Sequence, residues 1–257
     1  MSLVLVTGSS AGIGLETARQ ILERGHTVVA HARDEERAEL AREALPGVHD
    51  VVVGDLTSLD QTRHLAEQAR TVGPPDVVIH NAGVGGGAPE RVQTGDGLER
   101  IFQVNVVAPY LLTAALPRPA RVVYLTSGLQ DRGHLHLQDL QHADRPWDGM
   151  QAYSDSKLAD VALALAVARL WPETLSTAVD PGWIKTRLGG PDAPDPVEDG
   201  AATQVWLATA DEPAARVTGA YLKRFEHLTP NPQATDVTVQ DVLLDRLAQL
   251  TGIRLPT

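Results

Sequence analysis

The sequence predicts an α/β fold: a single domain over residues 1–257, built on a doubly wound parallel sheet of about seven strands with helices on both faces. Three observations carry this. Short runs of β-branched residues alternate with longer stretches of helical periodicity, the pattern of crossover units. The strand runs lack polar alternation, as in Val122-Val123-Tyr124-Leu125, which suits a sheet covered on both sides. A 257-residue chain with 43% hydrophobic residues can enclose one sizeable core.

In chain order, Leu3–Val6 reads as the first strand, followed by a glycine-rich turn and a helix with apolar positions Ile13, Ala18, Ile21 and Leu22. Thr27–His31, Val51–Val53 and Asp76–His80 are the next strands. Leu98, Ile101, Phe102, Asn105, Ala108 and Leu112 mark a helix whose buried face carries one asparagine. Arg121–Thr126, Leu175–Val179 and Gly219–Leu222 complete the predicted sheet. Gly189–Pro196, rich in Gly and Pro, reads as a mobile loop, and Asp236–Leu250 as a closing helix. There is no internal repeat and no long linker.

With 22 basic and 33 acidic residues the formal charge is −11, which argues against non-specific binding to nucleic acid or to an anionic membrane. An anionic ligand would have to be held by local geometry. The absence of cysteine excludes disulfides, thiolate nucleophiles and cysteine-based metal sites. The N-terminus runs directly into the first strand, and no window approaches the ~20 apolar residues of a membrane span. The expectation is a soluble, cytoplasmic protein.

The first strand ends in Thr7-Gly8-Ser9-Ser10-Ala11-Gly12-Ile13-Gly14. Glycines between a strand and a helix let the backbone approach a pyrophosphate, and the helix N-terminus offers free N–H groups and partial positive charge. This is the Rossmann-like dinucleotide-binding arrangement, with glycines at 8, 12 and 14, one residue wider than G-x-G-x-x-G.

Tyr153 and Lys157 lie four residues apart on a predicted helix, hence on one face. A cation beside a phenol favours phenolate, which brings the group toward general acid/base work near neutrality. Ser127 ends a strand, and Asn81-Ala82-Gly83 ends another, so both fall on the carboxyl-end rim where open α/β sheets bind ligands. Asn105, in an otherwise apolar helix, must find hydrogen-bond partners. It either repairs local backbone or holds water for a proton relay.

The ordered set Thr7-Gly8-x-x-x-Gly12-Ile13-Gly14, Asp55-Leu56, Asn81-Ala82-Gly83, Asn105, Ser127, Tyr153-x-x-x-Lys157 and Pro181-Gly182-x-Ile184-x-Thr186 resembles the short-chain dehydrogenase/reductase family over roughly residues 3 to 225. The resemblance implies a hydride exchange between a nicotinamide and an alcohol/carbonyl pair. Gly8, Ser10, Gly12, Ile13 and Gly14 would cradle the phosphates. Asp55 and Leu56 would border the adenine, and Asn81, Ala82 and Gly83 would wall the cofactor cleft. Pro181, Gly182, Ile184 and Thr186 would contact the nicotinamide end. Ser127 would hold the substrate oxygen, Tyr153 would exchange the proton, Lys157 would bind ribose and tune Tyr153, and Asn105 would anchor a water linked to Lys157.

Two departures stand out. His80 occupies a position where the family often has Asn, and it reads as a strand-end polar residue rather than a base. The 26-residue step from Ser127 to Tyr153 is about twice the usual gap, similar to retinol-dehydrogenase-like and bulky-ketone-reductase branches. The insertion carries His134, His136, His142 and Trp147, and reads as a loop over the substrate cleft rather than a metal site. Residues 128–150 and 187–199, with Val84–Pro89, are the expected substrate-cleft loops.

The second strand has no carboxylate where an NAD enzyme would bind the ribose 2′-hydroxyl. Ala32 stands there, followed by Arg33, so NADP(H) is expected over NAD(H), with NAD(H) as the alternative. The run Val161–Ala168 is apolar all round, which predicts a homodimer or homotetramer packed through that helix. A non-catalytic dinucleotide sensor would lack catalytic residues, yet all four are present. A sugar-nucleotide epimerase would need more than the roughly 70 residues after Thr186.

Overall fold

The computed structural model describes residues 1–85 and 87–256. Gly86, inside the expected cleft segment Val84–Pro89, lies outside the described residues. The sheet comprises β1 (Leu3–Val6), β2 (Thr27–Ala32), β3 (Asp50–Val53), β4 (Val77–His80), β5 (Arg121–Leu125), β6 (Leu175–Val179), β7 (Ala220–Lys223) and β8 (Glu226–Leu228). Their order is β3-β2-β1-β4-β5-β6-β7-β8, parallel up to β7. The chain winds outward in both directions from β1 and β4, so a crevice opens at their carboxyl ends.

The expected strands stand, with bounds moved by a residue or so. The eighth was not foreseen. β8 pairs antiparallel with β7 through a turn at Arg224 and Phe225, both at positive φ (48° and 68°). Such a turn ordinarily signals itself by Asn or Gly. Here the Phe225 ring packs edge-on against Trp206 at 5.4 Å between centroids, holding a conformation that the letters do not announce.

The helices are α1 (Gly12–Glu23), α2 (Glu35–Ala44), α3 (Leu59–Val72), α4 (Arg100–Phe102), α5 (Ala108–Ala115), α6 (Gly149–Leu170), α7 (Val197–Thr209), α8 (Pro232–Thr235) and α9 (Val237–Thr251). α1, α2 and α7 cover one face of the sheet, through Ile21, Ala38 and Val205 against Val4, Val28 and Val123. α3, α5, α6 and α9 cover the other, with Tyr110, Leu158 and Leu243 in a core under Val122 and Tyr124. Between α4 and α5 the chain makes a π turn, Gln103–Val107, so the one predicted helix carries a bulge centred on Asn105.

The apolar run Val161–Ala168 does not imply a second subunit. Its outward side is covered by α9 of the same chain, through Leu243, Leu247 and Ala248. The tail beyond α9 closes the same layer: Tyr110 Oη donates to Ile253 O (2.9 Å) and Trp171 Nε1 to Pro256 O (2.6 Å). The expectation of a dimer or tetramer through this helix therefore loses its basis, because periodicity in one helix cannot say which distant segment covers it.

The insertion begins as a 3-10 turn (Gly128–Arg132), and its middle packs along α6, α8 and α9. Leu135 is buried in the α6–α9 core, its N–H donates to Gln233 Oε1 (3.0 Å), and Arg246 reaches Gln138 (3.0 Å). Its ends, Leu129 and Trp147, pack near Tyr153.

Candidate active site

The glycine turn is built by residues from four strands. Gly8 and Gly12 take positive φ (65° and 57°), which favours glycine. A Cβ on Gly8 would come within 2.9 Å of Ala82 Cα, so the β1 and β4 loops are in direct contact. A Cβ on Gly14 would strike Asn81 Nδ2 and the Gly8 carbonyl oxygen, closer than side-chain carbons approach. Asn81 Nδ2 donates to Thr7 O (2.8 Å) and Gly8 O (3.2 Å), while the N–H groups of Asn81 and Ala82 both donate to Thr7 Oγ1 (3.0 Å each). Asn81 and Ala82 thus buttress the turn as well as bordering the crevice.

His31 is a supporting residue that sequence reasoning missed. Its Nδ1 accepts from Gly8 N–H (2.9 Å), which leaves Nε2 to donate to Gly54 O (2.8 Å). Burial holds its pKa below the usual histidine value, against the pull of the Gly54 carbonyl and Asp55, so the neutral form that accepts from Gly8 persists. Ser9 locks the same corner, donating to Val6 O (2.8 Å) and accepting from His31 N–H (2.8 Å). A histidine ending a strand carries no mark of this role.

α1 then starts at Gly12 with Ala11 as its cap and no side chain on its first N–H groups. The close-packed glycine cradle, an uncapped helix start and no first-turn acid suit a bound diphosphate. Ser10 and Ile13 are half-buried on this turn. Thr186 lies over it, since a Cβ on Gly12 would be 3.4 Å from Thr186 Cγ2.

Beyond β3, Asp55 Oδ1 accepts from Thr57 N–H (2.9 Å) and Thr57 Oγ1 (2.8 Å), and Leu56 is buried in the α3 core. Ala32 is buried at the end of β2. Arg33 is exposed and its Nε donates to Asp34 Oδ2 (3.0 Å). Beyond β6, Gly182 adopts φ 98° and its N–H donates to Asp180 Oδ1 (2.9 Å), turning the chain just after Pro181. Ile184 is buried, and Trp183 Nε1 donates to Gly189 O (2.8 Å). Lys185 N–H donates to Asp195 O (2.8 Å), so the Gly- and Pro-rich loop is tied back on itself.

α6 brings Tyr153 and Lys157 to this rim. Tyr153 is buried among Ile101, Ala152, Val84, Leu129 and Trp147. Lys157 Nζ lies 5.8 Å from its ring centroid and donates to Leu125 O (2.8 Å) and Asp160 Oδ2 (2.8 Å). Thr126 Oγ1 donates to Lys157 O (2.6 Å), fixing the helix to the end of β5. Ser127 is the next residue; it is half-buried, and its Oγ accepts from Leu129 N–H (3.3 Å).

Asn105 joins these parts. Its Oδ1 accepts from Val84 N–H (2.9 Å), and its Nδ2 donates to Val84 O (3.1 Å) and Ser156 Oγ (2.9 Å). A Cβ on Gly83 would be 3.4 Å from Asn105 Oδ1 and 3.6 Å from Lys157 Nζ, so the three residues share one corner. The Asn105 side chain thus satisfies the backbone of Val84 rather than that of its own helix. His80 is buried, Nε2 bonded to Thr113 Oγ1 (2.9 Å), and burial lowers its pKa to about 3. Among the described residues no three His, Asp or Glu converge as a metal set.

The insertion is fastened to α6 by Asp155, inside the Tyr153–Lys157 segment. Its carboxylate accepts from His134 N–H (2.8 Å), Gln151 Nε2 (2.7 Å) and His142 Nε2 (3.0 Å). Burial opposes this charge, yet those donors hold its pKa below the usual value. A depressed carboxyl pKa stabilises the fold above the unfolded-state value, an effect lost as pH falls through the folded value. Asp155→Ala is therefore expected to cost about 1–3 kcal/mol at neutral pH. The deficit, measured by urea unfolding, should narrow below about pH 4.

A family model described as short chain dehydrogenase matches residues 2–196. The chain belongs to the short-chain dehydrogenase family. It is 40% identical over its full length to the short-chain dehydrogenase chyC of Penicillium rubens, which it covers completely. Its structure is similar to that of an uncharacterized protein from Mycobacterium paratuberculosis, at 27% identity and a TM-score of 0.87, covering 100% of this chain and 96% of that one. It is also similar to a blue fluorescent protein from a metagenomic library, solved in complex with NADPH, at 26% identity and a TM-score of 0.71, covering 86% of this chain and 95% of that one. The short-chain dehydrogenase is thus an oxidoreductase with the parallel sheet of its family, and none of its described helices is long and apolar enough to cross a membrane.

Proposed function

We propose that this short-chain dehydrogenase reduces a ketone or aldehyde to an alcohol, with Tyr153 as general acid. The observation that carries the reading is the Tyr153–Lys157 pair on α6, fastened to the end of β5 beside the glycine crevice. The nicotinamide, held by Gly8, Ser10, Gly12, Ile13 and Gly14 at its phosphates, would supply the hydride. Asp55, Leu56 and Asn81 to Gly83 would line its adenine and ribose path, and Pro181, Gly182, Ile184 and Thr186 its far end. Ser127 Oγ would hold the carbonyl oxygen, and Tyr153 Oη would give that oxygen its proton. The Lys157 ammonium would favour loss of the phenol proton and bind the ribose. Asn105, beside Lys157 and Gly83, would hold the water that returns a proton to this corner.

The wall around Tyr153 is apolar (Val84, Leu129, Ile101, Trp147), Met150 is exposed three residues before it on α6, and the exposed Leu188 touches Gly85 beside Val84, which supports an apolar, bulky carbonyl substrate. The test is incubation with NADPH and a carbonyl panel, following loss of reduced-nicotinamide absorbance. A protein that binds NADPH yet turns over no carbonyl or alcohol would instead support the sensor reading.

NADP(H) is the proposed preference. With Ala32 ending β2 no carboxylate stands at the strand end where an NAD enzyme would place one, and Arg33 meets Asp34 through Nε, which leaves its outer edge for the phosphate. Such a contact contributes about 1.5–3 kcal/mol, so Arg33→Ala should shrink the NADPH-to-NADH ratio of kcat/KM by roughly ten- to a hundredfold. A wild type that favours NADH, or an unchanged ratio, would rule Arg33 out as the reader.

A further inference from the structure

α6 carries a buried carboxylate that the proposed reaction does not use. Asp160 lies one turn beyond Lys157, at the head of the apolar run Val161–Ala168, and is 2% exposed. Its Oδ2 accepts from Lys157 Nζ at 2.8 Å, an ion pair with both side chains buried. Burying a carboxylate inside an apolar helix is unfavourable, so its pairing calls for a physical account.

The neighbouring elements offer Asp160 no other charge among the described residues. On β5, Tyr124 is buried and hydrogen-bonded to Thr113 (2.9 Å), its pKa raised by burial. On β4, His80 is neutral, its ring 4.8 Å from that of Tyr124. From the π turn, Asn105 and its partner Ser156 are polar and uncharged. Burial raises Asp160 to about 6 despite the pull of Lys157. Burial also opposes the charge on Lys157, but Asp160 and Tyr153 more than offset it, and the lysine stays charged.

The ammonium has three N–H bonds. Leu125 O and Asp160 take two of them, which fixes Nζ and leaves one for the cleft. A cation 5.8 Å from a phenol ring drives that phenol toward phenolate, and a carboxylate on the cation cancels part of the drive. We propose that Asp160 is a positioning residue that pins Lys157 against β5 and cancels part of the lysine's charge beside Tyr153. The proposal rests on the reading of Tyr153 as proton donor.

Asp160→Asn keeps the shape and an acceptor for Nζ but removes the charge. The direct readout is the phenolate absorbance of the cofactor-free protein during a pH titration, taken as the difference from the same chain carrying Tyr153→Phe. In Asp160→Asn the Tyr153 phenolate band should move to lower pH by about one unit. The alkaline limb of kcat/KM for carbonyl reduction should move with it, and Asp160→Glu should restore much of the wild-type profile. A purely structural role would lower stability and activity alike without moving either curve. An unmoved band, or one moved to higher pH, overturns the proposal. If Asp160→Asn does not fold, Asp160→Ser carries the same readout. Normal turnover by Tyr153→Phe would sink the proton-donor reading alone, because the band shift is read without turnover.

Discussion

Replacing Tyr153 by Phe is expected to lower turnover by at least about 100-fold, the usual scale for losing a general acid, with NADPH affinity and folding stability essentially unchanged. The ring sits in a preformed apolar pocket of Ile101, Ala152, Val84, Leu129 and Trp147. Phenylalanine fills that pocket with the same ring and lacks only the oxygen. Among the described residues no hydrogen bond of the α6 framework passes through the hydroxyl: Thr126 holds the Lys157 carbonyl, and Leu125 and Asp160 hold its ammonium. The proposed phosphate cradle lies on β1 and α1, outside this pocket. The substitution therefore isolates proton transfer from binding and from fold. Three measurements check it: single-turnover reduction with saturating NADPH, fluorescence titration of the cofactor, and thermal unfolding. A variant that turns over normally would show that another group delivers the proton. One that loses NADPH affinity would show that the hydroxyl helps to seat the cofactor.

What the letters made legible and what they hid divide along a physical line. Strands β1 to β7 and the glycine turn were legible because their signals are local: β-branched runs, and glycines at a strand-to-helix junction. The clustering of Tyr153, Lys157 and Asn105 followed from topology, since all come from segments at the carboxyl ends of adjacent strands. The supporting groups were hidden because their partners are distant in sequence. His31 serves Gly8, 23 residues away, and Asn105 serves Val84, 21 away. Likewise the cover on α6 comes from α9, and the insertion is held by a carboxylate within the Tyr153–Lys157 segment itself. β8 was hidden because its turn is held by an aromatic contact rather than by turn residues. Asp160 left one readable trace, a charge heading an apolar helical run, though its partner Lys157 had already been assigned another role.

Gly14→Ala is expected to be the most damaging single-methyl change in the proposed cofactor cradle. The added carbon would meet two groups at once, and neither can retreat. Asn81 Nδ2 is held by the carbonyls of Thr7 and Gly8, and its backbone N–H is held by Thr7 Oγ1. The Gly8 carbonyl belongs to a residue at φ 65° whose own N–H is fixed by His31 and whose Cα faces Ala82. Relief requires moving either the start of α1 or the Gly8 turn, and each movement opens the surface proposed to grip the diphosphate. Overpacking of this kind costs about 1–3 kcal/mol of stability. Because the displaced N–H groups would no longer converge, NADPH affinity should fall by about tenfold or more, equivalent to roughly 1.4 kcal/mol. Urea unfolding and cofactor titration measure the two effects separately. The double variant Gly14→Ala/Asn81→Ala distinguishes the two clashes. Trimming Asn81 removes one obstacle but leaves the Gly8 carbonyl, which is backbone, so little binding should return. Full recovery in the double variant would place the conflict in the Asn81 side chain alone, and wild-type affinity in the single variant would show that the turn is not the phosphate cradle.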